Sequence, residues 1–304
     1  MLDLGAEDLA ELLAEVRRID VQSRHLVTDV MSGGYHSVFR GAGLEFEEVR
    51  EYADGDDPRS VDWSVTARMG RPFVRKYTEE RERTVLLLFD LSGSVNGGFG
   101  IWSARQTAAR VCACLALSAT RNGDKVGLIA FSDGVDLHVP PGKSFPHALR
   151  IVRDCLARRG ASPRTDPRPA LELATRTVRR RAIVFLVSDF LAGDLEPALS
   201  LCARRHDVIA VRLLYPELAP PDAGLVRLRD PETGVARVVD WSRPTVREAW
   251  RSRVAAFAAR TERALRRAKV DCMDVPVPRA PEGDHVAGPI LRFFRMRELR
   301  GTKR

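Results

Sequence analysis

The feature that most constrains the fold is a series of apolar segments that alternate along the chain with amphipathic helical segments. The apolar segments are TVLLLFDLS (84–92), KVGLIAFS (125–132), AIVFLVSDF (182–190) and DVIAVRLLY (207–215). Strands that are apolar along their whole length and alternate with helices form parallel sheets with helices on both faces. The sequence therefore predicts an α/β fold with a doubly wound, mostly parallel sheet.

Shorter elements flank this series on both sides. We assign residues 1–80 to an N-terminal helix and a small β/helix extension packed on the core. Residues 81–215 form the sheet domain, and residues 216–304 supply strands and helices that complete the same unit. No low-complexity linker separates the three regions, which favours a single packed unit.

The flanking elements are predicted from local patterns. Apolar residues at spacings of three and four indicate helices, and strict alternation indicates strands. Helices are predicted over residues 5–28, 59–70, 244–268 and 289–299. Strands are predicted over residues 35–39, 44–52, 71–77, 224–230, 235–241 and 269–277.

The composition of the chain limits which classes of partner and which cellular compartment we expect. The 304 residues contain no apolar run of about 18 residues, so no membrane insertion is expected. The N-terminal segment is acidic and amphipathic rather than secretory in type, and we expect a cytoplasmic protein. The net charge of +8 comes mostly from arginines mixed with acidic residues, without interleaved aromatic residues. The sequence therefore predicts no nucleic-acid partner.

Oxygen-bearing side chains follow the predicted strands where each strand ends. Asp90, Ser92 and Ser94 alternate after the first strand, Asp189 ends the third, and Thr165 lies in a loop before a helix. Ligands of an open α/β sheet bind beyond the carboxyl ends of its strands. Carboxylate and hydroxyl oxygens suit Mg²⁺, and Mn²⁺ accepts the same ligands. The sequence therefore predicts a Mg²⁺ or Mn²⁺ site at this edge.

The segment D-L-S-G-S (90–94) after an apolar strand resembles the first element of the metal-ion-dependent adhesion site of the von Willebrand factor A superfamily. The resemblance implies that Ser92 and Ser94 bind the metal directly. It also implies that Thr165 and Asp189 supply the second and third elements, with both aspartates acting partly through water. A glycine usually lies near the threonine in that family, whereas S-P-R (162–164) precedes it here, so Ser162 is an alternative.

Further motifs resemble the bacterial DUF58 family. They are GAGLEFEEVREY (41–52), GDDPRSVDW (55–63), ARMG (67–70), VSDF (187–190), RHDVIAV (205–211), DPETG (230–234) and FFRMRE (293–298). The resemblance implies an adaptor or chaperone-like role beside a MoxR-type AAA+ ATPase. We expect the metal to accept an acidic side chain from that ATPase or from a client protein.

The segment GDDPRSVDW (55–63) has two interpretations. In the first, four residues form a partner-facing patch, because Trp and Arg are common interface anchors. The four residues are Arg59, Asp62, Trp63 and Arg68. In the second, which we favour, Asp57 caps a helix, Pro58 begins it and Trp63 packs against the sheet.

The main alternative to a binding protein is a metal-dependent hydrolase or phosphotransferase that uses Asp90 and Ser92. Phosphotransferases of the D-x-D-x-T type carry a second carboxylate at the position of Ser92, and that carboxylate is absent here. A serine hydrolase would place its nucleophile in G-x-S-x-G, which does not surround Ser92. The sequence therefore predicts a non-enzymatic interaction module.

Overall fold

The computed structural model describes residues 45–53, 56–57, 60–78, 83–98, 100–191, 193, 195–221, 224–280 and 284–301. The predicted helix over 5–28 and strand over 35–39 lie outside the described residues. Two compact units are distinguished: a small one within Phe39–Glu82 and a large one that contains Arg83–Arg304. The packing of the N-terminal extension on the core stays a prediction.

Among its described residues, the small unit contains a strand pair and a short α-helix. Its elements are β1 (Glu45–Glu51), α1 (Trp63–Met69) and β2 (Phe73–Thr78). The two strands are antiparallel, with a register shift between Phe46 and Glu48. The helix ends at Gly70, whose φ of 68° belongs to the left-handed region that glycine adopts without strain.

The start of α1 differs from the prediction. The side chain of Asp62, and not that of Asp57, caps the helix by accepting hydrogen bonds from the backbone N–H groups of Ser64 and Val65. The predicted cap at Asp57 was therefore wrong for this helix, which begins at Trp63, whereas Pro58 lies outside the described residues. The prediction that Trp63 is packed was also wrong, since 74% of this residue is exposed.

The large unit alternates strands and helices. Its strands are β3 (Thr84–Asp90), β4 (Lys125–Phe131), β5 (Val135–Gly142), β6 (Ile183–Ser188), β7 (Asp207–Leu214), β8 (Leu225–Arg229), β9 (Ala236–Asp240) and β10 (Asp271–Pro276). Its helices are α2 (Ala104–Arg121), α3 (Phe145–Ala157), α4 (Arg168–Thr177), α5 (Glu196–Arg205), α6 (Pro244–Arg267) and α7 (Ala287–Gly301). Short 3₁₀ turns follow β3 and β7, at Ser94–Asn96 and Pro216–Leu218.

Six of the described strands form the central sheet, in the order β10-β7-β6-β3-β4-β5. All neighbouring pairs are parallel except β4 and β5, which are antiparallel at one edge. Every residue of β6 is buried, and so are all residues of β3 after Thr84, as expected for strands covered on both faces. The predicted α/β fold with a doubly wound, mostly parallel sheet is confirmed.

The strand order places a topological switch at β3. The chain continues from β3 to β4 on one side, and the later strands β6, β7 and β10 lie on the other side. At such a switch the connections diverge and leave a crevice beyond the carboxyl ends of the strands. The segment after Asp90 therefore lies where a ligand site is expected.

The C-terminal flank contributes in two ways. The predicted last strand is β10, which pairs in parallel with β7 as an edge of the central sheet. The predicted pair over 224–230 and 235–241 is the antiparallel hairpin β8–β9, which forms a sheet of its own. None of the helices that the structure describes combines the length and the apolar character needed to cross a bilayer.

Candidate metal-binding site

Asp90 lies at the end of β3, beside the end of β6. The two strands pair in parallel up to Phe89 and Val187, so the residues that follow are neighbours. The hydroxyl of Ser188 donates to Asp90 Oδ2 at 2.6 Å, and the backbone N–H of Ser92 donates to Asp90 Oδ1 at 2.8 Å. The carboxylate of Asp90 therefore stabilises the turn after β3 and connects it to the end of β6.

The two serines of D-L-S-G-S point their hydroxyls toward each other. Ser92 Oγ and Ser94 Oγ are 3.1 Å apart, and both residues are buried. Gly93 between them is required by packing: a Cβ there would lie 2.4 Å from the carbonyl oxygen of Pro231 and 3.1 Å from that of Pro163. The N–H of Gly93 also donates to the Pro163 carbonyl at 2.7 Å. The loops that contain Pro163 and Pro231 therefore pack directly against this turn.

Asp189 follows β6 and joins the same turn through Tyr215. The phenol hydroxyl of Tyr215 lies 3.2 Å from Asp189 Oδ2 and 3.0 Å from the backbone oxygen of Ser94. Asp189 Oδ1 accepts the N–H of Leu191 at 2.9 Å. Tyr215 was not among the predicted site residues, although it is the last residue of the fourth apolar segment and so lies at the same edge of the sheet.

Two buried carboxyl groups share this site. Burial, followed by the charge of Asp189, raises the pKa of Asp90 to about 7, although hydrogen bonds from Ser188 and Ser92 partly oppose the change. Burial also raises the pKa of Asp189, against hydrogen bonds from Leu191, Ser94 and Tyr215. Both charged forms are thus disfavoured, and a divalent cation would relieve the desolvation and the repulsion together.

Burial and the charge of Asp189 raise the pKa of the Tyr215 phenol well above its usual range. The hydroxyl is therefore protonated at neutral pH and remains a hydrogen-bond donor. Its position between Asp189 and the Ser94 carbonyl fixes the turn that carries the two serines.

Thr165 lies in the loop whose Pro163 contacts Gly93. Its hydroxyl donates to Glu232 Oε1 at 2.6 Å, a contact between residues 67 positions apart in sequence. The donated proton leaves the lone pairs of Thr165 Oγ1 available. The alternative residue, Ser162, uses its hydroxyl locally by accepting the N–H of Arg164 at 3.2 Å.

Glu232 lies in the turn between β8 and β9. Burial raises its pKa, the charges of Asp189 and Asp230 raise it further, and the hydrogen bond from Thr165 lowers it. From the sequence, DPETG (230–234) is a family motif to which we assigned no role, because no local pattern connects it with the D-L-S-G-S turn.

The donor set fits a hard cation. Within the described ranges, no group of three or more His, Cys, Asp and Glu side chains forms a metal-ligating cluster. The site instead combines two carboxylates with serine hydroxyls, namely Asp90, Asp189, Ser92 and Ser94, and places the Thr165 loop against their turn. Such oxygen ligands suit Mg²⁺ or Mn²⁺ and leave positions for water.

The GDDPRSVDW residues belong to the small unit. Arg59 lies outside the described residues, whereas Asp62 is 6% exposed and serves as the helix cap of α1. Trp63 and Arg68 are exposed. Asp62 is therefore structural, and the exposed Trp63 and Arg68 keep the interpretation of a partner-facing patch open.

The chain has relatives of known sequence. The family model described as protein of unknown function DUF58 matches residues 48–260. An uncharacterized protein of Mycobacterium tuberculosis is 30% identical over 267 residues, which cover 86% of this chain and 84% of that protein. A protein of Mycobacterium bovis, also uncharacterized, gives the same identity and coverage.

Solved structures show a more distant likeness. The conserved hypothetical protein BatB from Bacteroides thetaiotaomicron has a TM-score of 0.43 and 16% identity, covering 73% of this chain and 100% of that chain. Proximal thread matrix protein 1 from the mussel byssus, solved with a zinc occupied MIDAS motif, has a TM-score of 0.33 and 20% identity. That match covers 44% of this chain and 38% of the byssus protein. From the family match and the mycobacterial relatives together, the chain belongs to the family described as protein of unknown function DUF58.

Proposed function

We propose that this chain is a non-enzymatic protein-interaction module that grips an acidic group of its partner through a bound divalent cation. The observation that carries the proposal is the convergence of buried oxygen donors at neighbouring strand ends. Asp90 and Asp189 repel each other electrostatically, and the Ser92 and Ser94 hydroxyls lie 3.1 Å apart beside them. Buried carboxylates arranged in this way lower the cost of binding a cation.

The ligands that would hold Mg²⁺ or Mn²⁺ are Asp90, Ser92, Ser94, Thr165 and Asp189. The cation would supply a positive charge that two carboxylates only partly neutralise when they act partly through water. An Asp or Glu side chain of another protein can then complete the coordination and gain a strong charge-assisted contact.

The family resemblance supports a specific partner and role for this module. By that resemblance the partner is a MoxR-type AAA+ ATPase or a client protein, and the chain acts as an adaptor or chaperone-like factor in the cytoplasm. The exposed Trp63 and Arg68 provide a second candidate surface for such a partner.

The enzymatic alternative uses Asp90 and Ser92 as a metal-dependent hydrolase or phosphotransferase. Two contacts favour binding over catalysis. Ser92 Oγ contacts Ser94 Oγ rather than a histidine base, and both oxygens of Asp90 accept hydrogen bonds from Ser188 and Ser92. Metal-dependent turnover of phosphate or ester substrates that Asp90→Asn abolishes would support the enzyme instead.

The proposal is tested by binding to the MoxR-type ATPase of the same organism, measured with purified proteins in Mg²⁺ and in EDTA. We expect binding that requires Mg²⁺ and is weakened at least tenfold by Ser94→Ala. A matched control is Ser242→Ala, which removes an exposed hydroxyl in the loop after β9. Binding that is equal in Mg²⁺ and EDTA would contradict a metal-mediated grip.

A further inference from the structure

The turn between β8 and β9 presents Glu232 in a fixed conformation. The Asp230 carboxylate accepts the N–H of Glu232 at 2.9 Å, the N–H of Thr233 at 3.3 Å and the Thr233 hydroxyl at 2.7 Å. Gly234, with a φ of 72°, donates its N–H to the Asp230 carbonyl at 2.8 Å. The turn is therefore shaped by Asp230, which leaves the Glu232 side chain available for contacts elsewhere.

This turn lies directly on the candidate metal site. Pro231 places its carbonyl oxygen so close to Gly93 that only a glycine fits between the two serines. The next residue, Glu232, accepts the Thr165 hydroxyl at 2.6 Å and is partly buried. One short turn thus contacts both the first and the second predicted metal-binding elements.

The hairpin that carries the turn is weakly held along its length. Within the part of the chain that the structure describes, its two strands pair only with each other, and Leu225 and Val238 are 73% and 66% exposed. Trp241 at its base is 2% exposed and donates its backbone N–H to the Gly224 carbonyl. Isolated two-stranded hairpins have little stability of their own, and displacing this turn would not require breaking the central sheet.

We propose that Glu232 is a built-in competitor, which occupies the place that an acidic side chain of the partner takes when the site is engaged. Glu232 bears the same carboxylate group that the cation would accept from outside, and it is held against the predicted ligand Thr165. A partner must then displace the turn. The apparent affinity of the partner equals its intrinsic affinity multiplied by the fraction of molecules in which the turn is open. This inference rests on the proposed function, since it assigns a regulator to the same site.

Acetate, a small free carboxylate, is a suitable probe with Mn²⁺ as the metal. At saturating Mn²⁺, acetate that binds the metal displaces its water and lowers the water-proton relaxation enhancement. Glu232→Gln removes the charge but retains a carbonyl that accepts the Thr165 hydroxyl, and Glu232→Ala removes both. The control is Glu248→Gln, which makes the same change on the exposed Glu248 of α6.

We expect acetate to bind the Mn²⁺-loaded Glu232 variants about tenfold more tightly than it binds the wild type and Glu248→Gln. Equal acetate affinity in all four proteins, with Mn²⁺ bound in each, would overturn the competitor role and leave the metal site standing. An absence of Mn²⁺ binding in all four would contradict the proposed function, and the inference with it. Because Asp230 shapes the turn, neither variant removes a residue on which the fold of the hairpin depends.

Discussion

The Ser188 hydroxyl donates to the Asp90 carboxylate at 2.6 Å, from the end of one parallel strand to the end of its neighbour. This contact holds a carboxyl group that is 1% exposed inside the edge of the sheet. The pKa of Asp90 is raised to about 7, so the hydrogen bonds that stabilise its charged form do not offset the effect of burial. A buried acid that is costly to ionise is typical of functional sites, and several expected outcomes depend on it.

Asp90→Asn is expected to stabilise the metal-free protein at neutral and alkaline pH. The pKa of Asp90 is raised from 3.8 to about 7, so the folded state favours the protonated acid. The stability that the folded state gains by holding Asp90 protonated is fully present below about pH 4 and is lost as the pH rises toward 7. The increase in the free energy of unfolding caused by Asp90→Asn should be larger at pH 8 than at pH 5, by about 2 kcal/mol.

Urea unfolding in EDTA at the two pH values measures this difference. Asp154→Asn is the matched control, since Asp154 is also buried but pairs with Arg150 and Arg153. A destabilised Asp90→Asn protein at pH 8 would show that the Asp90 charge is well compensated without metal.

Protons should compete with the metal at Asp90. The metal binds the ionised carboxylate, whereas the metal-free protein holds a proton there below about pH 7. We expect Mg²⁺ affinity to rise about tenfold between pH 6 and pH 8, with a proton released on binding at pH 6. Calorimetry in two buffers of different ionisation enthalpy counts the released protons. Affinity that does not change over this range would contradict the proposed role of Asp90.

Gly93→Ala tests the contact between the D-L-S-G-S turn and the β8–β9 turn. The added Cβ would lie 2.4 Å from the Pro231 carbonyl oxygen, which belongs to backbone, so the clash is relieved only if one of the two turns shifts and loses its contacts. We expect a loss of about 1–3 kcal/mol in the free energy of unfolding. Gly134→Ala is the control, because nothing lies within 4 Å of a Cβ there. Equal stability of the two variants would mean that the turns are not in contact in solution.

Tyr215→Phe retains the ring and removes the hydroxyl that serves Asp189 and the Ser94 carbonyl. A buried acceptor that loses its donor costs about 1–3 kcal/mol. We therefore expect a lower free energy of unfolding and at least threefold weaker Mn²⁺ binding, both measured beside the wild type. Unchanged Mn²⁺ affinity would show that Tyr215 does not position the site.

The sheet could be predicted from the sequence because each buried strand is a local apolar run. The end of each run also located Asp90 and Asp189, since parallel strands bring their carboxyl ends to one edge. Glu232 could not be predicted as a neighbour of Thr165, because 67 residues separate the two and only the folded hairpin joins them. The cap of α1 was misassigned because Asp57 and Asp62 both carry the same local signal, and tertiary structure decided between them.

Calorimetric titration of Mg²⁺ and Mn²⁺ into the purified protein, with Asp90→Asn and Asp154→Asn beside it, shows whether Asp90 holds a metal. We expect one site per chain in the wild type and in Asp154→Asn, and no binding in Asp90→Asn. Because Asp90→Asn is expected to be at least as stable as the wild type, unfolding would not explain its loss of binding. Equal binding in Asp90→Asn and the wild type, or no binding to any of the three proteins, would contradict a metal site at Asp90.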